Sequence, residues 1–359
     1  MRSDVQLKQF EIADQDALLS FLRIAFPGEP PKGDSTFWKW HFLENPYVSP
    51  DDIPVWIVRS GEKIVGQVAA IPVELKVGEE NRRAFWLVDY ILLPEYRPGG
   101  LGIFLFQMGG GQCKTLLSLG YNENSSAVMR LLKWQPLGSI NRYHMLLFPG
   151  HAASEIARLP LLRKLVNLLY APYRASLRPR APTEDGLLRE VTTFDASFDE
   201  LWSDAATQWP CAVVRNAKML EWQFMRQPGK KYDVLGCYKD NRLSGYIVLF
   251  FRKTGVDGAP PKAAISDLCY GPNNSAEVID NLLLGALRLA LERKAGSLVI
   301  DILDERVEAH LRRFGFRRIK ASPLFAAKTA AQQDLIYERS NWFLTRSDSD
   351  VSIFEESNL

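Results

Sequence analysis

The sequence predicts a mixed α/β protein in which one pattern of strands and helices is laid down twice. Three observations carry that expectation. The chain has 359 residues, more than the roughly 100–200 typical of one domain. Runs rich in β-branched residues alternate with segments whose apolar residues recur every three or four positions. Four anchors of the first half also return in order in the second: Trp40 and Trp222, Gly66 and Gly245, Asp89 and Asp267, Trp134 and Phe316, spaced 182, 179, 178 and 182 residues apart. Spacing that holds over four anchors marks an internal repeat.

In the first copy, "WKWHFLENP" reads as a helix whose Trp38 and Trp40 are core anchors, a role Trp222 takes in the second copy. "PVWIVRS" and "KIVGQVAAIPVEL" then form an antiparallel hairpin, with "GEK" at the bend. "AFWLVDYILL" is a third strand, "GIFLFQM" a helix, "KTLLSLG" a strand and "SAVMRLLKW" a helix. The second copy follows with "YDVLGCY", "LSGYIVLFFR", "KAAISDLCY", the long helix "AEVIDNLLLGALRLALERK", "SLVIDIL" and "ERVEAHLRRF". Domains are therefore expected at 1–150 and 186–359. Residues 151–185 read as a linker with one amphipathic helix, carrying Arg158, Arg163, Lys164, Arg174, Arg178 and Arg180. Such a basic amphipathic helix either packs across the domain interface or makes peripheral contact with a membrane through 156–180.

Composition narrows the function classes. At 47% hydrophobic and 24% charged residues the chain reads as globular, and no run of about 20 apolar residues suggests a membrane span. The amino terminus lacks the apolar core of a signal peptide, and Cys113, Cys211, Cys237 and Cys269 are scattered without C-x-x-C pairing. A cytoplasmic protein with reduced thiols and no metal site is the expectation. A net charge of +2 gives no reason to expect nucleic acid as a partner.

The densest motif is "PEYRPGGLGIFLFQ", residues 94–107. A strand end, a turn with Arg97, Gly99, Gly100 and Gly102, and an immediate helix start together make an anion site. N–H groups at a helix start lack intrahelical partners and sit at the positive end of the macrodipole, and glycine lets a phosphate approach that backbone. The order R-x-x-G-x-G differs from the Walker and dinucleotide-binding fingerprints.

With these residues in view, the chain resembles a tandem member of the GNAT acyltransferases, and the segment resembles that family's acetyl-CoA pyrophosphate loop. The resemblance implies two tandem GNAT-like domains, each a mixed, mostly antiparallel sheet flanked by helices. It implies acetyl-CoA or another acyl-CoA as cofactor, with the loop at Arg97, Gly99, Gly100, Leu101, Gly102 and Ile103. Ile91, Leu92 and Leu93 of the preceding strand would bind the pantetheine arm, Asn122 would contact it, and the amide near Leu92 would serve the oxyanion. Pro98 departs from the family's frequent arginine-glycine pair and removes one donor. The second copy's "CYGPNNSAEVIDN" has neither the arginine nor the alternating glycines, so no CoA is expected there.

Acyl transfer to an amine needs a base, an oxyanion stabiliser and a proton for the departing thiolate. Candidate bases are Asp89, Glu95 and Glu123. Asp89 is matched by Asp267 in the copy without the loop, which suits either a structural acid or two acids facing one cleft. Glu123 suits either the catalytic mouth or a helix start beside Ser125. The family's sulfur-protonating tyrosine falls on Met129, so Tyr121, Tyr143 or solvent would have to supply the proton. His41 and His144 sit among aromatic and apolar neighbours and read as packed. Trp342, Phe343 and "TRSDSD" either form part of the cleft or close the fold. The expected function is an N-acyltransferase acting on an amino group of a small-molecule or cell-envelope precursor. The alternatives are a non-catalytic CoA-binding or scaffolding protein and an aminoacyl transferase like the FemABX group.

Overall fold

Pairing in the sheet begins with β1 (Val5–Gln9), which lies antiparallel to β2 (Val55–Ser60). The structure, a computed structural model, describes residues 5–49, 52–111, 113–149, 160–177, 187–252, 261–319, 323–331 and 334–351. Between β1 and β2, α1 (Gln15–Ala25) and α2 (Ser35–Phe42) bury Leu18, Leu22, Trp38 and Trp40. The Asp34 carboxylate accepts from Phe37 N at 2.8 Å, capping an α2 donor that the helix cannot satisfy itself. β2, β3 (Lys63–Val77) and β4 (Glu80–Leu92) form an antiparallel meander. Its turns fall at Gly61 (φ 57°) and Gly78 (φ 62°), in the left-handed region that glycine adopts most easily.

After β4 the chain crosses through α3 (Leu101–Gly111) to β5 (Thr115–Leu119), parallel to β4. The two strands pair only at Phe85 with Leu116 and Trp86 with Leu117, so they diverge beyond that point and leave a gap between their ends. Helix α4 (Glu123–Leu131) and strands β6 (Gln135–Ser139) and β7 (Asn141–Leu146) follow.

The connecting segment holds two short helices rather than one, α5 (Pro160–Leu169) and α6 (Ala171–Leu177). Leu161, Leu162, Leu165, Leu168 and Leu169 are exposed, not packed across an interface; Arg158, Arg178 and Arg180 lie outside the described residues. The second copy then runs through β8 (Leu188–Glu190), α7 (Ala196–Ala205), β9 (Cys211–Val213), β10 (Tyr232–Lys239), β11 (Arg242–Arg252) and β12 (Lys262–Tyr270). It ends with α8 (Ser275–Glu292), β13 (Ser297–Leu303), α9 (Glu305–Arg313), β14 (Arg317–Ile319), β15 (Leu324–Thr329) and β16 (Trp342–Thr345).

The two copies exchange strands. β7 of the first pairs with β13 and β14 of the second, and β15 of the second pairs with β5 and β6 of the first. Both exchanged strands sit at the same place in the repeat. Between the halves, β3 pairs with β9, β9 with β16 and β16 with β13, which makes one continuous sheet. A boundary drawn at residue 150 therefore cuts the chain without cutting the sheet.

Candidate functional site

The gap between β4 and β5 opens onto a cleft of about 840 Å³. Ile91, Leu92, Arg97, Gly102, Asn122 and Glu123 all line it. Leu93 N donates to Val65 O at 2.9 Å, toward β3. Alternation along an antiparallel strand then turns the N–H and carbonyl of Leu92 the other way, into the gap. Arg97 Nε donates to that Leu92 carbonyl at 2.9 Å, which fixes the end of β4 against the loop and leaves the Leu92 N–H facing the cleft.

Gly99 (φ 91°) and Gly100 (φ 79°) make the turn into α3, and a Cβ on either would meet nothing within 4 Å. These two glycines are required by backbone conformation, not by crowding. Gly102 differs, because a Cβ there would collide with the Tyr90 hydroxyl. Ile103 N donates to Gly100 O at 2.9 Å, so its amide is occupied. The open donors of the first turn are those of residues before it, Leu101 and Gly102 among them. A glycine turn, a helix start and an inward amide fit the pyrophosphate and pantetheine of an acyl-CoA.

A smaller pocket of about 250 Å³ continues inward, sharing Tyr90, Asn122 and Ser125 with the cleft. At its wall a β-bulge sets Val68 alone opposite both Asp89 and Tyr90. Asp89 takes φ 52°, uncommon for a residue with a side chain, and the bulge re-aims its carboxylate. That carboxylate is ion-paired to Lys32. Lys32 also pairs with Glu29 at 3.0 Å. Asp350, from beyond β16, closes the group on the same pocket. Burial by itself would discharge Lys32, but Asp89, Asp350 and Glu29 more than offset it and hold the ammonium charged. Burial, opposed by Lys32 and reinforced by Asp89, lifts the Asp350 carboxyl to about 7. A carboxyl poised there can exchange a proton near neutral pH.

The second copy holds a counterpart that is buried throughout. Arg215 contacts Asp267 at 3.3 Å and Asp348 at 2.7 Å, while Tyr246 Oη donates to Asp267 at 2.7 Å. Lys32 and Arg215 hold matching positions, as do Asp89 and Asp267. The segment after β16 serves both groups, with Asp348 in one and Asp350 in the other.

Other residues singled out by sequence fall as follows. Tyr121 lines the inner pocket, and burial raises its phenol pKa. Asn122 caps α4, accepting from Ser125 N at 3.0 Å. Glu123 is exposed on that helix's first turn, on the cleft but outside the inner pocket. Met129 is buried and lines the inner pocket where the family tyrosine would fall. Tyr143 is not at the site, since β7 has crossed into the second copy and its hydroxyl donates to Glu308 at 2.8 Å. His41 is buried, and burial drives its pKa down to about 4, the state of a packed neutral imidazole. Sequence reading did not single out Lys32, Glu29 or Tyr90, and it reached Asp350 only as one letter of "TRSDSD".

Residues 6–115 match the model of the family described as "Acetyltransferase (GNAT) domain". A GNAT domain is thus matched over that segment. No curated protein matches the chain. Among solved structures, N-myristoyltransferase of Saccharomyces cerevisiae with bound myristoyl-CoA superposes with a TM-score of 0.60 at 12% identity, over 91% of this chain and 83% of that one. A probable N-acyltransferase from Enterococcus faecalis gives 0.61 at 12%, over 90% and 72%. A GCN5-related N-acetyltransferase from Anabaena variabilis gives 0.60 at 14%, over 91% and 73%. The fold of these structures thus extends over nearly the whole length, as a mostly antiparallel sheet flanked by helices.

Proposed function

We propose that this protein is an acyl-CoA-dependent N-acyltransferase whose reaction takes place where the cleft meets the inner pocket. The observation that carries the reading is their junction at Tyr90, with the Leu92 amide on one side and the Asp89–Lys32–Asp350 group on the other. Arg97, Gly99, Gly100, Leu101 and Gly102 would hold the CoA diphosphate, and the β4 edge at Ile91 and Leu92 the pantetheine arm. Bound acyl-CoA supplies an acetyl or other acyl group activated as a thioester.

The chain's own groups would do the rest. The Leu92 N–H stabilises negative charge developing on the acyl oxygen. Asp350 takes a proton from the acceptor amine, whose nitrogen bonds to the acyl carbon as the carbon–sulfur bond breaks. Lys32 and Asp89 hold Asp350 in a charged setting that keeps its proton labile. Tyr90 at the junction, or Tyr121 beside it, returns a proton to the thiolate that Met129 cannot serve; a thiol's ordinary pKa near 8.5 makes this the least demanding step. The acceptor is an amine on a small molecule or cell-envelope precursor, and Glu29, Asp89 and Asp350 favour one that arrives as an ammonium, gives its first proton to solvent to free the lone pair, and gives its second to Asp350 on attack.

A steady-state thiol-release assay across amines, amino sugars and amino acids tests this. The reading predicts release with at least one amine and its loss in Asp350→Asn. The buried Met129 favours a second reading, a non-catalytic CoA-binding protein. CoA binding with no release from any amine would support it.

A further inference from the structure

We propose that the helix pair α5–α6 docks the protein onto an anionic lipid surface. Among the described residues, Leu161, Leu162, Leu165, Leu168 and Leu169 are exposed, four of them by more than half, at 84% for Leu161, 52% for Leu165, 68% for Leu168 and 74% for Leu169. Their spacing at 161, 165, 168 and 169 puts one apolar stripe along α5. The stripe faces away from the protein. Val166, Asn167 and Tyr170 are the half-buried residues of the same stretch, and in α6 the Tyr173 hydroxyl lies beside Gly315. A helix that turns its less apolar side to its own protein and its leucines outward is built for another apolar phase.

Charge identifies that phase. From Ile156 to Thr183 the sequence has no aspartate or glutamate but six arginines and lysines. Lys164 is exposed on α5, beside the leucine stripe. An apolar stripe with Lys164 beside it, in a stretch of sequence with six cations and no acid, suits a bilayer interface, where leucines enter the acyl boundary and cations meet anionic headgroups. A second copy of the chain would bring this stretch of six cations and no acid against its like, so charge disfavours a homodimer through this face.

The test is co-sedimentation of the full chain with phosphatidylcholine vesicles and with vesicles containing one third phosphatidylglycerol. The control is the double variant Leu165→Glu/Leu168→Glu, whose positions are exposed and whose folding is checked by its melting curve. Wild type should bind the anionic vesicles, more weakly as salt is raised, and the double variant should lose about tenfold or more of that binding. Its acyl-CoA binding should stay unchanged. Absence of binding to anionic vesicles overturns the proposal, and so does equal binding by the double variant. A concentration-dependent dimer, seen by light scattering and abolished by the double variant without any vesicle binding, overturns it in favour of a second copy.

Discussion

The indole nitrogens of Trp40 and Trp222 each donate to the other residue's backbone carbonyl at 2.9 Å, and their rings stack 5.0 Å apart. Equivalent residues of the two copies thus meet each other, as they do on a local twofold axis. Both are buried. Removing one indole N–H leaves a buried carbonyl without that donor, a loss of about 1–3 kcal/mol. Trp40→Phe and Trp222→Phe should each lower the unfolding free energy obtained from urea titration by such an amount. The double variant should cost less than the sum, because the pair acts as one unit.

Strand exchange predicts that neither half folds alone. Without β15, the first half leaves β5 and β6 with an empty strand position between them. Without β7, the second half lacks the partner of β13 and β14. Exposed, unpaired strand edges promote aggregation. Residues 1–150 and 186–359 expressed separately should be insoluble, and expressed together they should co-purify.

The raised Asp350 pKa makes stability and activity oppose each other. A carboxyl near 7 when folded and near 4 when unfolded binds its proton more tightly in the native state. Its ionisation therefore costs the fold stability progressively from about pH 4 to pH 7, and in full above that. Asp350→Asn should raise the melting temperature at pH 8 relative to wild type and leave it nearly unchanged at pH 4. The same change should abolish a rising limb near pH 7 in the rate profile, since the ionised form is the base. Glu123→Gln, on the exposed side of the cleft, should lower turnover less than Asp350→Asn does.

Gly102 and Gly100 should fail differently when substituted. Gly102→Ala forces the Tyr90 ring aside and should alter turnover as well as acyl-CoA affinity. Gly100→Ala meets no neighbour but strains a φ of 79°, so it should lower stability by about 1 kcal/mol and chiefly weaken affinity. Chemical denaturation and ligand titration on the same samples separate the two effects.

The repeat and the loop were legible in the sequence because both are local patterns. Apolar periodicity marks strands and helices, and "RPGGLG" punctuates a turn into a helix. Strand exchange was not legible, since β7 and β15 have the same apolar character whichever sheet receives them. Tyr143 consequently appeared as a candidate for a site its strand has left. The inner pocket was half legible. Asp89 stood out as an acid within an apolar strand, but Lys32 and Asp350 meet it across 57 and 261 residues of chain, a distance over which local pattern carries no information. One signal was present, the basic residue that both copies place at Lys32 and Arg215, 183 residues apart.

One acyl-CoA should bind each chain, at the loop of the first copy. Calorimetric titration of the purified protein with acetyl-CoA tests it most directly, repeated with Gly100→Glu, which sets a carboxylate where the diphosphate would lie. Wild type should show one site per chain and the variant no measurable heat. Undiminished binding by Gly100→Glu would contradict it.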